Sequence, residues 1–333
     1  MKNNAVQGLR GYLMIWIVLF HYTSRYPSLY PSDDIYMPIN LENGGDVGIV
    51  IFFIISGFFL AKGLYGLEKS MQKFLDFCKH KYMRLWPSYI VSIILIFVCV
   101  RIFGLPGRES SITTLLIDAL FIYHPMFGYV DLAHWFIAHL VFAQCFLGFM
   151  FSIVQGNKKK ILFRLLIISF NIFFVLLALP QTTSHTLGVV DTFIPFKSTL
   201  AVLIGVGIYQ YRKGKEYVDL MLIVISVCIL MFLLSQMLIL VYSILFYMLL
   251  NKDNIATRKI FQNKLIIEIG NMSFYWYLIH QNIGYIFLNK VKSLYGGVSL
   301  EYWIPIVCII TFALGYIVKS LERLILDRIY GAK

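Results

Sequence analysis

The chain has 333 residues, of which 59% are apolar and only 14% charged, and its mean hydropathy of +0.76 excludes a fold wetted on all sides. It reads as an all-α integral membrane protein. A net charge of +12 would raise nucleic acid as a partner of a soluble protein. Here Lys and Arg cluster between apolar runs, so membrane lipids are expected partners and nucleic acid is not.

The first helix is expected over 9 to 25, opening with "LRGYLMIWIVLFHY". The following "HYTSRYPSLYP" offers no small-x-small cleavage site, so the segment is read as a retained first helix. Arg10 and His21 are eleven positions apart, about 1100° of helix or three turns plus roughly 20°, which puts both on one face about 16 Å apart in depth. That places a cation near the cytoplasmic surface and an imidazole past the bilayer centre. Arg10 also fits a snorkelling lipid anchor, and His21 a neutral histidine satisfied by a neighbouring helix. The connection 26 to 46, rich in Pro, Tyr and acids, is long enough to shape a site entrance.

The second helix, 47 to 65, carries "FFIISGFF", with Gly57 read as a close-packing position and Ser56 as either a ligand contact or a bend. The third, 88 to 104, is entered through "KHKYMRLWPSY", which sets Arg84 level with Arg10 and Lys81 one turn earlier. Cations at one depth suit a phosphate-bearing ligand, although Lys81 also fits a plain cytoplasmic lysine.

Segment 112 to 128 contains an acid and a His-Pro break. Letting it span would move the run Lys158 to Lys160 to the outside, so it is assigned to the outer face or a re-entrant position. The remaining spans are expected at 134 to 154, 162 to 179, 196 to 211, 218 to 234, 236 to 250, 266 to 288 and 302 to 319. Ten spans result, with both termini cytoplasmic. His134 and Trp135 open the fourth span, where Trp135 also fits an interfacial aromatic belt. His280 lies about fourteen residues into the ninth, at a depth near that of His21. His139 is read as core, and His80, His124 and His185 as loop residues. Five scattered cysteines have neither disulfide-framework nor metal-ligand spacing, and no metal is expected.

In this order, these pieces resemble the acyltransferase 3 family of membrane acyltransferases, which includes O-acetyltransferases of bacterial cell-surface polysaccharides. The family's arginine, ten residues, then histidine is matched by Arg10 and His21. Its second-helix signature is matched by "GIVIFFIISG" (48 to 57), and its basic-aromatic-Pro entry by "YMRLWPSYI" (82 to 90). Its Trp-Phe-Leu-like motif is similar to "HWFIAHLVF" (134 to 142). The late Gly-x-x-Ser to His motif is matched by "IGNMSFYWYLIH" (269 to 280), and Ser-x-Glu-Arg by "SLER" (320 to 323). Many members carry an acid two positions after the second-helix glycine. Here that position is Val50 and the nearest acid is Asp46, taken as the stand-in that orients the histidine.

The resemblance implies a single acyltransferase domain over 1 to 333, in the cell membrane and by analogy the bacterial cytoplasmic membrane. Acetyl-CoA would be the acyl donor on the cytoplasmic side, and a glycan or lipid-linked sugar the acceptor. Arg10, Arg84, Lys81 and Ser56 would bind the donor, His134 and Trp135 the acceptor, with His21, His280 and Asp46 catalytic. A rival class is a carrier or flippase of a lipid-linked sugar or small anion, which also uses intramembrane ionisable groups.

Overall fold

The computed structural model describes residues 3–30, 44–121, 129–177, 196–251, 259–295 and 299–330, which are helical with no strand among them. The chain divides into two compact units. One comprises 1–48, 84–135 and 253–333, and the other 49–83 and 136–252.

In the first unit, α1 (Asn4–Phe20) starts at Asn3, whose side chain accepts the N–H groups of Ala5 and Val6. At His21 the helix widens into a π-helical turn, His21–Arg25, and then continues as α2 (Tyr26–Leu29). The cause lies in Pro27, which has no N–H to give the Thr23 carbonyl and whose ring would collide with it. A looser turn relieves both problems, and such π turns recur at functional sites.

Helix α3 (Gly44–Gly66) begins against α1, where Gly45 and Gly48 leave room for Phe20 and Ile17. Helix α4 (Met71–Phe103) follows, with α5 (Ile112–Asp118) and a 3-10 turn at Leu132–His134. Two long helices, α11 (Lys264–Leu294) and α12 (Ile304–Tyr330), complete the unit. Gly11 and Gly270 bring α1 against α11, and Gly8 brings it against Phe261 just before that helix, so closely that a Cβ on any of them would strike backbone. Between helices surrounded by lipid, where apolar burial gives little drive, close van der Waals approach is what holds them.

The second unit holds the rest of α3, the start of α4, α6 (Trp135–Ser152), α7 (Lys158–Leu177), α8 (Phe196–Gly214), α9 (Tyr217–Leu234) and α10 (Leu238–Leu250). Gly57 and Gly205 pack α3 on α8 with the same backbone-to-backbone closeness, as the small-residue reading of Gly57 expects. Ser235, in the left-handed region at φ 52, turns the chain between α9 and α10, at the predicted place. The side chains of Leu165, Ile168, Ile172 and Leu176 form an exposed apolar stripe on α7, the face expected to meet lipid.

Among the described residues, six helices are long and apolar enough to cross a membrane, against the ten expected. Helix α1 is 17 residues long, and α11 carries Asn271, Ser273, His280, Gln281 and Asn282 along its middle. The polarity that makes these helices interesting also weakens their hydropathy. The third predicted span starts much earlier than expected, at Met71, because the basic stretch before Pro87 is made of good helix formers and Ser70 Oγ accepts the Lys73 N–H at 3.4 Å. His80 therefore lies in a helix rather than a loop. Helix α5 has seven residues, too few to span. Residues 122–128 of segment 112 to 128, like most of the connection 26 to 46 and His124 and His185, lie outside the described residues.

Candidate active site

His21 and His280 come together in the first unit. Their ring centroids are 4.8 Å apart in an edge arrangement, and both side chains are buried. The predicted common depth is therefore a direct contact, made possible by the glycine-mediated approach of α1 to α11.

Hydrogen bonds fix each ring. His280 Nδ1 lies 2.7 Å from the Tyr277 carbonyl, so it carries the proton, and Nε2 is a bare lone pair, buried without a partner among the described residues. His21 Nδ1 is 3.2 Å from the Tyr285 hydroxyl and 3.3 Å from the Gln281 amide nitrogen. Gln281 is oriented because its Oε1 accepts the Ala133 N–H at 2.9 Å. The Gln281 amide nitrogen can only donate, so the tautomer that leaves His21 Nε2 free to take a proton is the one in which Nδ1–H donates to the Tyr285 hydroxyl and Gln281 donates to that same hydroxyl at 3.5 Å. Next along α1, Tyr22 donates to the His280 carbonyl at 2.7 Å. It fits only because Gly284 has no side chain to strike its ring.

The acid of this layer is Asp131. It is 1% exposed, accepts the Ala133 N–H at 2.9 Å through Oδ1, and accepts the Asn282 N–H at 3.1 Å through Oδ2. His134, three residues on, donates from Nε2 to the Leu278 carbonyl at 2.7 Å. Leu278 carbonyl and Asn282 N–H are the pair an α-helix joins four residues apart, and both receive a side chain from the 3-10 turn. Tyr277 adds a hydrogen bond to the Ala133 carbonyl. The turn is thereby clamped to α11 beside His280.

The predicted residues divide accordingly. Asp46 is exposed in the first turn of α3, whereas the buried acid beside the histidines is Asp131. His134 is tied into the scaffold and packs 5.0 Å from the Tyr89 ring, and Trp135, half-buried, opens α6. Arg10 donates to Gln7 Oε1 at 3.1 Å and to Ser273 Oγ at 2.9 Å. Arg84 is exposed and close enough to exert a coulombic effect on Arg10. Ser56, half-buried, and Lys81, whose ammonium lies 5.1 Å from the Phe77 ring centroid, belong to the second unit.

Sequence reasoning missed Gln281, Tyr285 and Asp131. A signal was present, since His280-Gln281-Asn282 is a polar triplet inside an apolar helix. It also missed what surrounds the arginine end. There Tyr275 donates to Glu322 at 2.6 Å, Lys319 lies over the Tyr275 and Tyr316 rings at 5.8 and 5.6 Å, and Arg323 and Arg84 act electrostatically on Tyr275. Glu322 and Arg323 are the closing residues of "SLER".

The first unit thus sets a buried imidazole pair at one end of α1 and Arg10 three turns away. A model of the acyltransferase 3 family, described as an acyltransferase domain, matches residues 3–319. The chain belongs to that family and is a membrane acyltransferase. No curated protein and no solved structure matches it.

Proposed function

We propose that the protein is a membrane O-acetyltransferase that moves an acetyl group from cytoplasmic acetyl-CoA to a hydroxyl of a cell-surface or lipid-linked glycan, in a bacterial cytoplasmic membrane. The observation that carries this reading is the contact between His21 and His280, three helical turns from Arg10 on α1.

Arg10 and Arg84 hold the CoA phosphates, and the thioester arm extends along α1 toward His21. His21 Nε2 takes the proton of the acceptor hydroxyl as its oxygen attacks the thioester carbonyl carbon. The C–S bond then breaks and the CoA thiolate takes the proton from the imidazolium. Such general-base assistance is worth roughly 10²- to 10⁴-fold. Tyr285, which Gln281 hydrogen-bonds in turn, orients the base, Asp131 holds the scaffold beside His280 through the Ala133 and Asn282 N–H groups, and His280 polarises the carbonyl or orients the acceptor. His134 and Trp135 then act on the acceptor side through the scaffold they anchor.

The donor half is tested by acetyl-CoA binding to Arg10→Ala and Arg84→Ala, and by binding of a truncated thioester without the adenosine phosphates. Weakened binding in all three is expected. Unchanged affinity in both variants, with equal binding of the truncated thioester, contradicts it.

A further inference from the structure

Beyond His21, at the end of α1 away from Arg10, lies a second group of cations that the mechanism above leaves unused. Arg108 stands in the connection between α4 and α5, where Gly104 and Gly107, both at φ +72, turn the chain. The Tyr30 hydroxyl, donating to the Pro106 carbonyl at 3.0 Å, pins this connection to the end of α2. The Arg108 guanidinium lies over the Tyr285 ring, 5.9 Å from its centroid, and the hydroxyl of that tyrosine is the one 3.2 Å from His21 Nδ1. One aromatic side chain separates a guanidinium from the proton-accepting imidazole.

The Arg108 guanidinium is hydrogen-bonded to the Tyr30 side chain, while its Nη1 is buried without a hydrogen-bond partner among the described residues. Glu109, the adjacent acid, is exposed and acts on Tyr30. Arg25, exposed at the end of the π-helical turn, lies like Arg108 within electrostatic reach of His21 and Tyr285. A guanidinium nitrogen removed from water and left unpaired is costly. The groups that satisfy it best are the paired oxygens of a carboxylate or phosphate. The donor's phosphates are already placed at the other end of α1, so an anion here belongs to the acceptor.

We propose that Arg108, with Arg25 as a second cation, binds an anionic group of the acceptor, so that the acylated sugar carries a carboxylate or phosphate beside its reactive hydroxyl. This rests on the acyltransferase reading of His21 and adds a substrate class to it. A carboxylate would come from a uronate residue, and a phosphate from a glycan phosphodiester or a lipid-linked sugar pyrophosphate.

The test is direct binding to the purified full-length protein in detergent, by calorimetry. The probes are a glucuronate-containing oligosaccharide, its methyl ester, a glycerol-phosphate oligomer, a polyprenyl-pyrophosphate sugar, and a neutral oligosaccharide. At least one anionic probe should bind about tenfold more tightly than its neutral counterpart, the scale of one charge-assisted hydrogen bond. Which probe does so identifies the source of the anion. Arg108→Gln should abolish the preference and Arg108→Lys should keep part of it.

Equal binding of charged and neutral probes by the wild type overturns the proposal even if the variants fail to fold. So does a preference that survives in Arg108→Gln, or Arg108-dependent binding of phosphatidylglycerol nanodiscs with no sugar preference. Anion binding without any acetyl transfer would sink the acyltransferase reading and leave the anion site standing. Acetyl transfer with no charge preference would sink only the anion site.

Discussion

The two units differ in how they treat their buried charged groups. In the second, Arg164 donates to Asp219 at 2.7 Å and to Glu216 at 2.5 Å, Lys160 joins Glu216, and Asp219 is fully buried. Lys159, also buried, spends its ammonium on the carbonyls of Leu64, Tyr65 and Leu67 and so closes the end of α3. Charge there is matched by charge or by helix-end carbonyls, with Asp219 Oδ2 and the Tyr65 hydroxyl left bare beside them among the described residues. In the first unit, His280 Nε2, His134 Nδ1, Asn282 Oδ1 and Arg108 Nη1 are buried and bare among the described residues. Matched buried charges hold helices together, whereas a convergence of bare acceptors and a bare donor around two imidazoles is a place for substrate.

The largest effect should come from breaking the matched side. Arg164→Ala strands the buried Asp219 carboxylate and should cost about 3 to 5 kcal/mol of stability, read as a lost thermal transition or lost folded yield. Arg164→Met with Asp219→Leu should recover most of it, since an apolar pair of similar volume removes the stranded charge. A single variant as stable as the wild type would mean that the ion pair is not structural.

On the bare side, activity should move before stability. Asp131→Ala unpairs the Asn282 N–H and releases the 3-10 turn from α11. Transfer should fall about 10- to 100-fold, with a stability loss of only about 1 to 3 kcal/mol. Because Asp131 acts through the scaffold, kcat should fall while acetyl-CoA affinity holds, and Asp131→Asn should restore part of kcat. A loss confined to KM for acetyl-CoA would contradict this placement.

Tyr285→Phe removes one hydrogen bond to His21 and should slow transfer about five- to tenfold with the same thermal transition. An unchanged rate would show that this hydrogen bond does not set the tautomer of the base.

The smallest effect is one of pH. Asp118, outside the spanning segments, accepts the Val130 N–H at 2.7 Å. Its carboxyl is pushed up to about 7, by burial first and Asp131 next, against the lowering effect of that N–H. The folded protein thus keeps a proton that the unfolded chain, titrating near the usual value of about 3.9, has released. Stability from this group is full below about pH 4 and is lost as pH rises through about 7. Thermal scans over that window should show a fall in midpoint that Asp118→Asn flattens. Parallel slopes would remove Asp118 as the cause.

Much of this was legible in the sequence, for reasons that differ by residue. Arg10 and His21 share a helix face by simple periodicity, and the turn at Ser235 fell where an apolar run was too long for one helix. The close contact at Gly57 followed from a small residue in an apolar helix. The contact of His21 with His280 was visible only as equal depth, because segments 259 residues apart in sequence had to be brought together by Gly11 and Gly270. Asp131 was hidden for the same reason, since its partners Asn282 and Ala133 are backbone groups and carry no signature. The π-helical turn at His21 escaped because only the collision of Pro27 with the preceding turn demands it. Arg108 had no helix pattern to mark it, being held by glycine turns and by Tyr30.

The most direct measurement is transfer itself. Inside-out membrane vesicles holding the protein would be given acetyl-CoA labelled in its acetyl group, and label would be followed into extractable glycan and glycolipid for the wild type, His21→Ala and His280→Ala. The buried histidine layer predicts label transfer by the wild type, a loss of roughly 10²- to 10⁴-fold in His21→Ala, and a marked loss in His280→Ala. No transfer by the wild type to any glycan, with His21→Ala still active in cells, would contradict the acetyltransferase account.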